Sequence, residues 1–327
     1  MENVNNSEAG ITGTNLNIKN SININKENAS TEEEDTTANK VIVITGATSG
    51  IGLATVKELA LKGAYVIGAG RSEERCKAAE QEVRNICPDA KINYLTADLS
   101  SLSEVTRLTA DIQKMLMKEG FSHIDVLINN AGTVSSWYMS TVDGFELQFA
   151  VNHLAPFLLT HELLPLLERS QAGTVICTSS GSHYRTRLRW NDIMLRKHYN
   201  TLLAYKQTKL ANVLFVTELN RKLTASDSSV KAFALDPGLV NTDIGLKGTG
   251  GIVKKVWQLR SKGGTPPEIP AHSMVYLAMD PAPRLTGRVY WKDCSPMKPS
   301  SYSQRPDVSK RLWELSARMC GIIEHKG

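Results

Sequence analysis

Nothing in the 327 residues approaches the roughly 18 to 20 consecutive apolar positions that a membrane-spanning helix requires. The first residues also lack the basic n-region and apolar h-region of a secretory signal, so a soluble, unsecreted, cytoplasmic chain is expected. Cysteine is sparse and unpaired in pattern. Cys76, Cys87, Cys177, Cys294 and Cys320 are odd in number, widely spaced and without a C-x-x-C pair, which argues against a disulfide framework and a thiolate zinc site. His153, His161, His183 and His198 show no metal-ligand spacing, and no metal is expected. Charge of one sign is scarce only locally: residues 1–39 hold two lysines against seven acids, while the chain as a whole is +5. The basic excess of the remainder suits an anionic ligand but is too diffuse to argue for nucleic acid.

What is present is one large α/β domain behind a polar tail. Residues 1–39 are rich in Asn, Ser, Glu and Thr without apolar periodicity, and are expected to be disordered; residues 40–327 are expected to form the domain. Val41-Ile42-Val43-Ile44 is a short continuous apolar run typical of a parallel strand buried on both faces. Further strands are expected near 65–69, 92–95, 124–128, 174–177, 230–235 and 288–291. Helices are expected near 51–61, 72–86, 103–118, 144–168 and 203–223. Alternation this regular predicts a Rossmann-type, doubly wound domain with a seven-stranded parallel sheet flanked by helices.

Several stretches carry the chemistry. The first strand runs into Thr45-Gly46-Ala47-Thr48-Ser49-Gly50-Ile51-Gly52. Its glycines permit a tight turn, close approach to a pyrophosphate, and delivery of that group to the positive end of the next helix. The second strand ends Gly68-Ala69-Gly70-Arg71-Ser72, with no acid at the tip to accept the 2′-hydroxyl of NAD. Arg71 instead offers a forked donor suited to the 2′-phosphate of NADP, although an exposed loop arginine near Glu73 and Glu74 is the plainer alternative. Asp98 is placed either to accept a hydrogen bond from an adenine amine or to cap the turn after the third strand. Among nine tyrosines only Tyr205 has a lysine four residues on, Lys209, and helical spacing sets the two side by side. An unperturbed phenol ionises near pH 10; acting near pH 7 requires stabilising the phenolate by roughly 4 kcal/mol, which a neighbouring ammonium and a cationic nicotinamide would largely supply.

Taken in order, TGATSGIG, Asn129-Asn130-Ala131-Gly132, Ser179-Ser180, Tyr205-x-x-x-Lys209 and Asp236-Pro237-Gly238 resemble the motifs of the short-chain dehydrogenase/reductase family, from about Lys40 to Gly287. Residues 151–160 and 204–215, with the 25-residue gap from Ser180 to Tyr205, are similar to its retinol dehydrogenase-like branch. The chain departs from microsomal members of that branch, which carry a hydrophobic N-terminal anchor where this one has its acidic, Asn-rich segment. The resemblance implies that Tyr205 is the general acid or base, that Ser180 hydrogen-bonds the substrate oxygen, and that Lys209 holds the nicotinamide ribose and lowers the tyrosine pKa. It further implies that Asn152 anchors a water in a proton relay. Asn129 and Gly132 would shape the wall near the adenine ribose, and Thr242 would meet the carboxamide. Cofactor contacts are therefore expected at Gly46, Thr48, Ser49, Gly50, Ile51, Gly52, Arg71, Asp98, Leu99, Asn129, Ala131, Gly132, Tyr205, Lys209, Pro237, Gly238, Val240 and Thr242.

These residues point to an NADP(H)-dependent oxidoreductase, with NAD(H) the less favoured cofactor, acting on a hydrophobic alcohol, aldehyde or ketone. The alternatives are a catalytically silent NADP(H)-binding regulator or scaffold, which would need only the glycine turn and Arg71, and a biosynthetic ketoreductase. Substrate choice should reside in the insertion from His183 to Asn200, with its Arg185, Arg187, Arg189 and Trp190, and in a lid at about 245–267. That mixture of basic and apolar residues is compatible with weak contact at a membrane surface as well as with a solvated loop. A homo-oligomer is compatible with the pattern but not indicated by it. Deleting residues 1–38 is expected to leave the thermal midpoint and NADPH affinity unchanged; a loss of stability of core-mutation size would show that the tail is not passive.

Overall fold

Every residue of the first strand, Val41–Thr45 (β1), is buried, because its alternate side chains enter two different cores. Val41 and Val43 face one side of the sheet; Ile42 and Ile44 face the other. The computed structural model describes residues 39–240 and 264–322, all within the unit Thr37–Gly327. The elements that follow are α1 (Gly50–Leu61), β2 (Tyr65–Gly70), α2 (Glu73–Ile86), β3 (Ile92–Thr96), α3 (Leu102–Lys118) and β4 (Val126–Asn129). After them come α4 (Leu147–Phe149), α5 (Ala155–Leu167), β5 (Thr174–Thr178), α6 (Thr201–Ala225), β6 (Lys231–Leu235) and α7 (Glu268–Met279). The last are α8 (Ala282–Leu285), β7 (Tyr290–Lys292), β8 (Ser295–Pro296) and α9 (Pro306–Met319).

The sheet order is β3-β2-β1-β4-β5-β6-β7-β8, with β1 to β7 parallel as the pattern predicts. The eighth strand is a difference: β8 pairs antiparallel with β7 through Trp291↔Pro296 and Lys292↔Ser295. Its two-residue turn, Asp293 and Cys294, holds both residues at positive φ, 49° and 55°, the geometry that suits the twist of a tight hairpin. Asp-Cys is a poor signal for such a turn beside Asn-Gly, which is why the sequence hides it. Leu108, Ile112 and Leu116 of α3, Phe157 and Leu163 of α5, and Val213 and Leu219 of α6 cover one face of the sheet. Val56 and Leu59 of α1 and Met274, Val275 and Leu277 of α7 cover the other. The chain winds outward from β1 to β3 and then crosses back to β4, so the strand order reverses between β1 and β4. Ligand sites in such sheets lie outside the carboxyl ends of the strands at that switch point.

The helix expected over 144–168 is split. Its start slips to Leu147 because the buried carboxylate of Glu146 accepts hydrogen bonds from the backbone N–H groups of Gln148 (2.9 Å) and Phe149 (2.8 Å), capping the helix there. Between α4 and α5, Ala150–Leu154 forms a π-helical turn, a wide geometry frequent at functional sites. Asn152 and His153 sit in it, both fully buried. Ser316 of α9 donates to the Leu312 carbonyl (2.9 Å), so its hydroxyl accepts from Nε2–H of His153 (2.8 Å). Burial lowers the His153 imidazole pKa from 6.5 to about 4, and the Asn212 side chain offsets this only in part. The folded value lies below the unfolded one, so the stability tied to the neutral ring is present above pH 6.5 and is lost as pH falls toward 4, roughly 3 kcal/mol in all. Urea unfolding of the wild type and of His153→Gln at neutral and acid pH should show a steeper acid loss in the wild type; equal acid sensitivity would contradict the assignment.

Candidate active site

The glycine-rich turn after β1 is shaped by collisions that glycine avoids. Gly46 lies at φ 69°, and a Cβ there would sit 2.8 Å from the Ala131 Cα; a Cβ on Gly52 would collide with the carbonyl oxygen of Gly46. The N-terminus of α1 is thereby brought onto the strand end. Three hydrogen bonds hold the turn in place. The Tyr94 hydroxyl donates to the Ala47 carbonyl (3.1 Å), and Nδ2 of Asn130 donates to the carbonyls of Thr45 (3.1 Å) and Gly46 (3.3 Å). In return, Oγ1 of Thr45 accepts from the backbone N–H groups of Asn130 and Ala131, both at 3.1 Å. The switch point is thus laced across β1 and β4.

A cleft of about 620 Å³ lies over this turn. Gly46, Thr48, Ser49, Gly50, Ile51 and Gly52 form its floor, with Asp98, Leu99, Ala131 and Gly132 along one wall. Ser180, Tyr205, Lys209, Pro237, Gly238 and Val240 close the far end. Two exposed arginines, Arg71 and Arg75, flank the opening beside Gly70. Ser72 caps α2 through the Arg75 N–H (3.3 Å), which orders the turn that carries both. Glu73, one of the two acids that would blunt this charge, pairs instead with Lys77 at 2.6 Å. Oδ1 of Asp98 accepts from the Ser100 N–H (3.0 Å), so Asp98 both caps its turn and lines the cleft.

The far end gathers the groups of the reactive constellation. Lys209 is 2 % exposed, donates from Nζ to the Thr178 carbonyl at the end of β5 (3.1 Å), and lies 5.6 Å from the centroid of the Tyr205 ring. Burial lowers its pKa from 10.5 to about 8, opposed by Cys177 and Asp236, so the ammonium persists at neutral pH. Oγ of Ser180 accepts from the Ser182 N–H (3.1 Å), which leaves its O–H available to donate into the cleft. The loop is braced by His183: Nδ1–H meets the Ser180 carbonyl (2.8 Å), and Nε2 accepts from the Ser300 N–H (3.1 Å). Its ring packs against Tyr184 and Tyr290 at 4.1 and 4.8 Å. Burial holds its pKa below 6.5, which favours the neutral tautomer that this bridge requires.

Not every expected residue reaches the cleft. Asn129 turns its amide away, donating to Oγ1 of Thr160 (3.0 Å) and lying 3.7 Å from Sγ of Cys177; its neighbour Asn130 lines the cleft instead. Asn152 is fully buried behind the wall, where Oδ1 accepts from the Thr133 N–H (2.7 Å) and Nδ2 donates to the Thr133 carbonyl (3.0 Å) and to Thr208 (3.1 Å). Thr242 and most of the lid, 245–263, lie outside the described residues. Arg75, Asn130, Lys206 and His183 are cleft or bracing residues that the sequence reading did not single out. Arg75 alone had a local signal, standing four residues after Arg71 on a capped helix.

A turn with no room for a Cβ at Gly46 or Gly52, opening onto a helix N-terminus at the switch point, fits a dinucleotide pyrophosphate. The donor set at the far end, one hydroxyl, one phenol and one ammonium, suits proton transfer to or from an alcohol oxygen. Residues 40–248 match the family model described as short chain dehydrogenase, and the chain belongs to that family. It therefore works as an oxidoreductase with a nicotinamide cofactor on small-molecule alcohols or carbonyl compounds. Its relatives place it in the retinol dehydrogenase-like branch, as its motifs suggest. The chain is 35 % identical to human retinol dehydrogenase 13 over 290 residues, covering 86 % of this chain and 85 % of that one. It is 36 % identical to mouse retinol dehydrogenase 12 over 285 residues (86 % and 87 %) and 34 % to human polyprenol dehydrogenase over 293 (87 % and 86 %).

Solved structures agree on the fold. An uncharacterised protein from Mycobacterium paratuberculosis superposes with a TM-score of 0.67 at 33 % identity, covering 87 % of this chain and 94 % of that one. A metagenomic short-chain oxidoreductase solved in complex with NADP gives 0.56 at 22 % identity, covering 80 % and 99 %. His183→Phe keeps an aromatic ring and removes both hydrogen bonds, orphaning the Ser180 carbonyl and the Ser300 N–H. The variant should lose about 1–3 kcal/mol in urea unfolding, and an unchanged midpoint would show that the brace carries no weight.

Proposed function

We propose that the protein is an NADP(H)-preferring oxidoreductase that interconverts a hydrophobic alcohol and its aldehyde or ketone in the reducing environment of the cytoplasm. The observation that carries this reading is a single cleft with Ser180, Tyr205 and Lys209 at one end and a glycine-rich turn flanked by two guanidiniums at the other. When bound, the nicotinamide supplies or accepts the hydride. Gly46, Thr48, Ser49, Gly50, Ile51 and Gly52 seat the pyrophosphate through close backbone approach. Arg71 and Arg75 take the 2′-phosphate, a role for which forked donors are well matched. Asp98, Leu99, Ala131 and Gly132 bound the adenosine, with Asn129 supporting that wall from behind. Pro237, Gly238 and Val240 bound the nicotinamide.

At the reacting oxygen, the Tyr205 hydroxyl gives up its proton in carbonyl reduction and recovers one in alcohol oxidation. The Ser180 O–H, directed outward by the bond its oxygen accepts from Ser182, donates to the same oxygen and favours the charge that grows there. The Lys209 ammonium, close to the phenol and poorly solvated, favours the phenolate and offers its remaining N–H groups to ribose hydroxyls. Asn152, whose amide is held by Thr133 and Thr208 and whose Oδ1 accepts only one of these bonds, would anchor the water through which Lys209 exchanges its proton with solvent.

Oxidation of NADPH and NADH across aliphatic, aromatic and polyene aldehydes and ketones tests the reading. NADPH should be preferred, and Tyr205→Phe should reduce kcat by about 10²- to 10⁴-fold with the cofactor still bound. Tight NADPH binding without turnover on any compound would favour a cofactor-binding regulator. The double variant Arg71→Ser/Arg75→Ser should weaken NADPH binding by about 10- to 100-fold and leave NADH binding nearly unchanged, as fluorescence titration can measure. Equal weakening of both would remove the arginines from 2′-phosphate recognition.

A further inference from the structure

Beside the cleft lies a second concavity, a groove of about 1210 Å³ walled by residues 184–189, by Leu203 and Lys206 of α6, and by residues 298–302. Five cations line it, Arg185, Arg187, Arg189, Lys206 and Lys298, and no acid does. All five are exposed, and none makes an ion pair among the described residues. The three arginines alternate with buried Thr186 and Leu188, so every second side chain of this stretch points outward. The stretch is anchored at both ends. The Tyr184 hydroxyl donates to the Lys298 carbonyl (2.6 Å), the Arg189 N–H donates to Oε1 of Gln207 (2.6 Å), and the Arg187 guanidinium lies 5.8 Å from the Tyr302 ring.

Charges of one sign gathered in a concave wall repel one another and focus a field that an anion relieves. Lys206 lines both the groove and the cleft, and it is the residue next to Tyr205. We propose that the groove is an anion subsite for the substrate: the compound that reacts at Tyr205 carries a carboxylate or phosphate at its far end, seated on these arginines and lysines. Its apolar middle crosses Leu203 and the tyrosine rings. This rests on the oxidoreductase reading and narrows it from a neutral hydrophobic compound to an amphiphilic acid. The headgroup of an anionic lipid has the same chemistry, but a flat bilayer does not enter a concavity, whereas a free chain with a charged end does.

The test compares NADPH-dependent reduction of a long-chain ω-oxo carboxylic acid with that of its methyl ester, in the full-length wild type and in Arg187→Gln/Arg189→Gln. The wild type should favour the acid by about tenfold in kcat/KM, through KM, and the double variant should lose that preference. Equal use of acid and ester by the wild type would overturn the subsite while leaving the oxidoreductase reading intact. Calorimetric binding of dodecanoate to the NADP⁺-loaded protein gives a readout independent of turnover. Binding should weaken about tenfold in the double variant and with added salt; absent binding, or binding that the variant leaves unchanged, overturns the proposal. Groove-dependent dodecanoate binding with neither compound reduced would leave an anion site in the groove and overturn its assignment to the substrate. Cosedimentation with phosphatidylserine vesicles that depends on the same arginines, without dodecanoate binding, would overturn the proposal and assign the groove to a membrane.

Discussion

A lysine ammonium held almost wholly out of water is the constraint around which the reactive end of this protein is organised. Lys209 is held by the Thr178 carbonyl, which also accepts from Nδ2 of Asn212 one turn further along α6 (3.1 Å), so the end of β5 and one face of that helix are fixed to each other. Ser179 tightens the same joint by donating to the Lys209 carbonyl (2.8 Å). Burial brings the ammonium pKa down to about 8, close to working pH, while leaving it charged beside the phenol whose ionisation it favours. The distant contributions of Cys177 and Asp236 keep it from falling further.

Asp236 links that end to the rest of the core. Its buried carboxylate accepts from the Tyr290 hydroxyl (2.9 Å) on β7 and from the Gly238 N–H (3.0 Å), which turns the chain at positive φ along the cleft. Tyr290 in turn packs against His183, and His183 holds the Ser180 carbonyl. The serine loop, the last parallel strand and the turn after β6 therefore form one connected support. At the other end, the reciprocal bonds between Thr45 and Asn130 do the same for the glycine turn. Both ends of the cleft are positioned by hydrogen bonds that tie its lining to neighbouring strands and loops, which is what a site needs if its reacting atoms are to stay in register.

The fold was largely legible because apolar runs, glycine turns and charged helices each carry a period or a residue type that physics ties to one geometry. Six strands, and the seventh at 288–291, are found close to their expected places. What escaped depends on contacts between distant residues. Asn129 and Asn130 are adjacent at a strand end, and only the pleat decides which amide faces the cleft. The wide turn at Ala150–Leu154 breaks an apolar pattern that reads as one helix, because the Glu146 cap and the Thr133 contacts of Asn152 exist only once the chain has folded. The role of His183 was hidden for the same reason: its partners are three and 117 residues away.

The most direct test of the central claim is a phenolate absorbance titration of the protein saturated with NADP⁺, with Tyr205→Phe and Lys209→Met alongside. The background favours it, since Tyr65, Tyr94, Tyr184, Tyr199, Tyr276 and Tyr290 are all pushed above the ordinary tyrosine value, chiefly by burial. One phenol should ionise well below the ordinary value of about 10, vanish in Tyr205→Phe and move upward in Lys209→Met. If no tyrosine ionises below about 10, or if Lys209→Met leaves the early titration in place, the lysine does not prepare the tyrosine and the account fails at its centre.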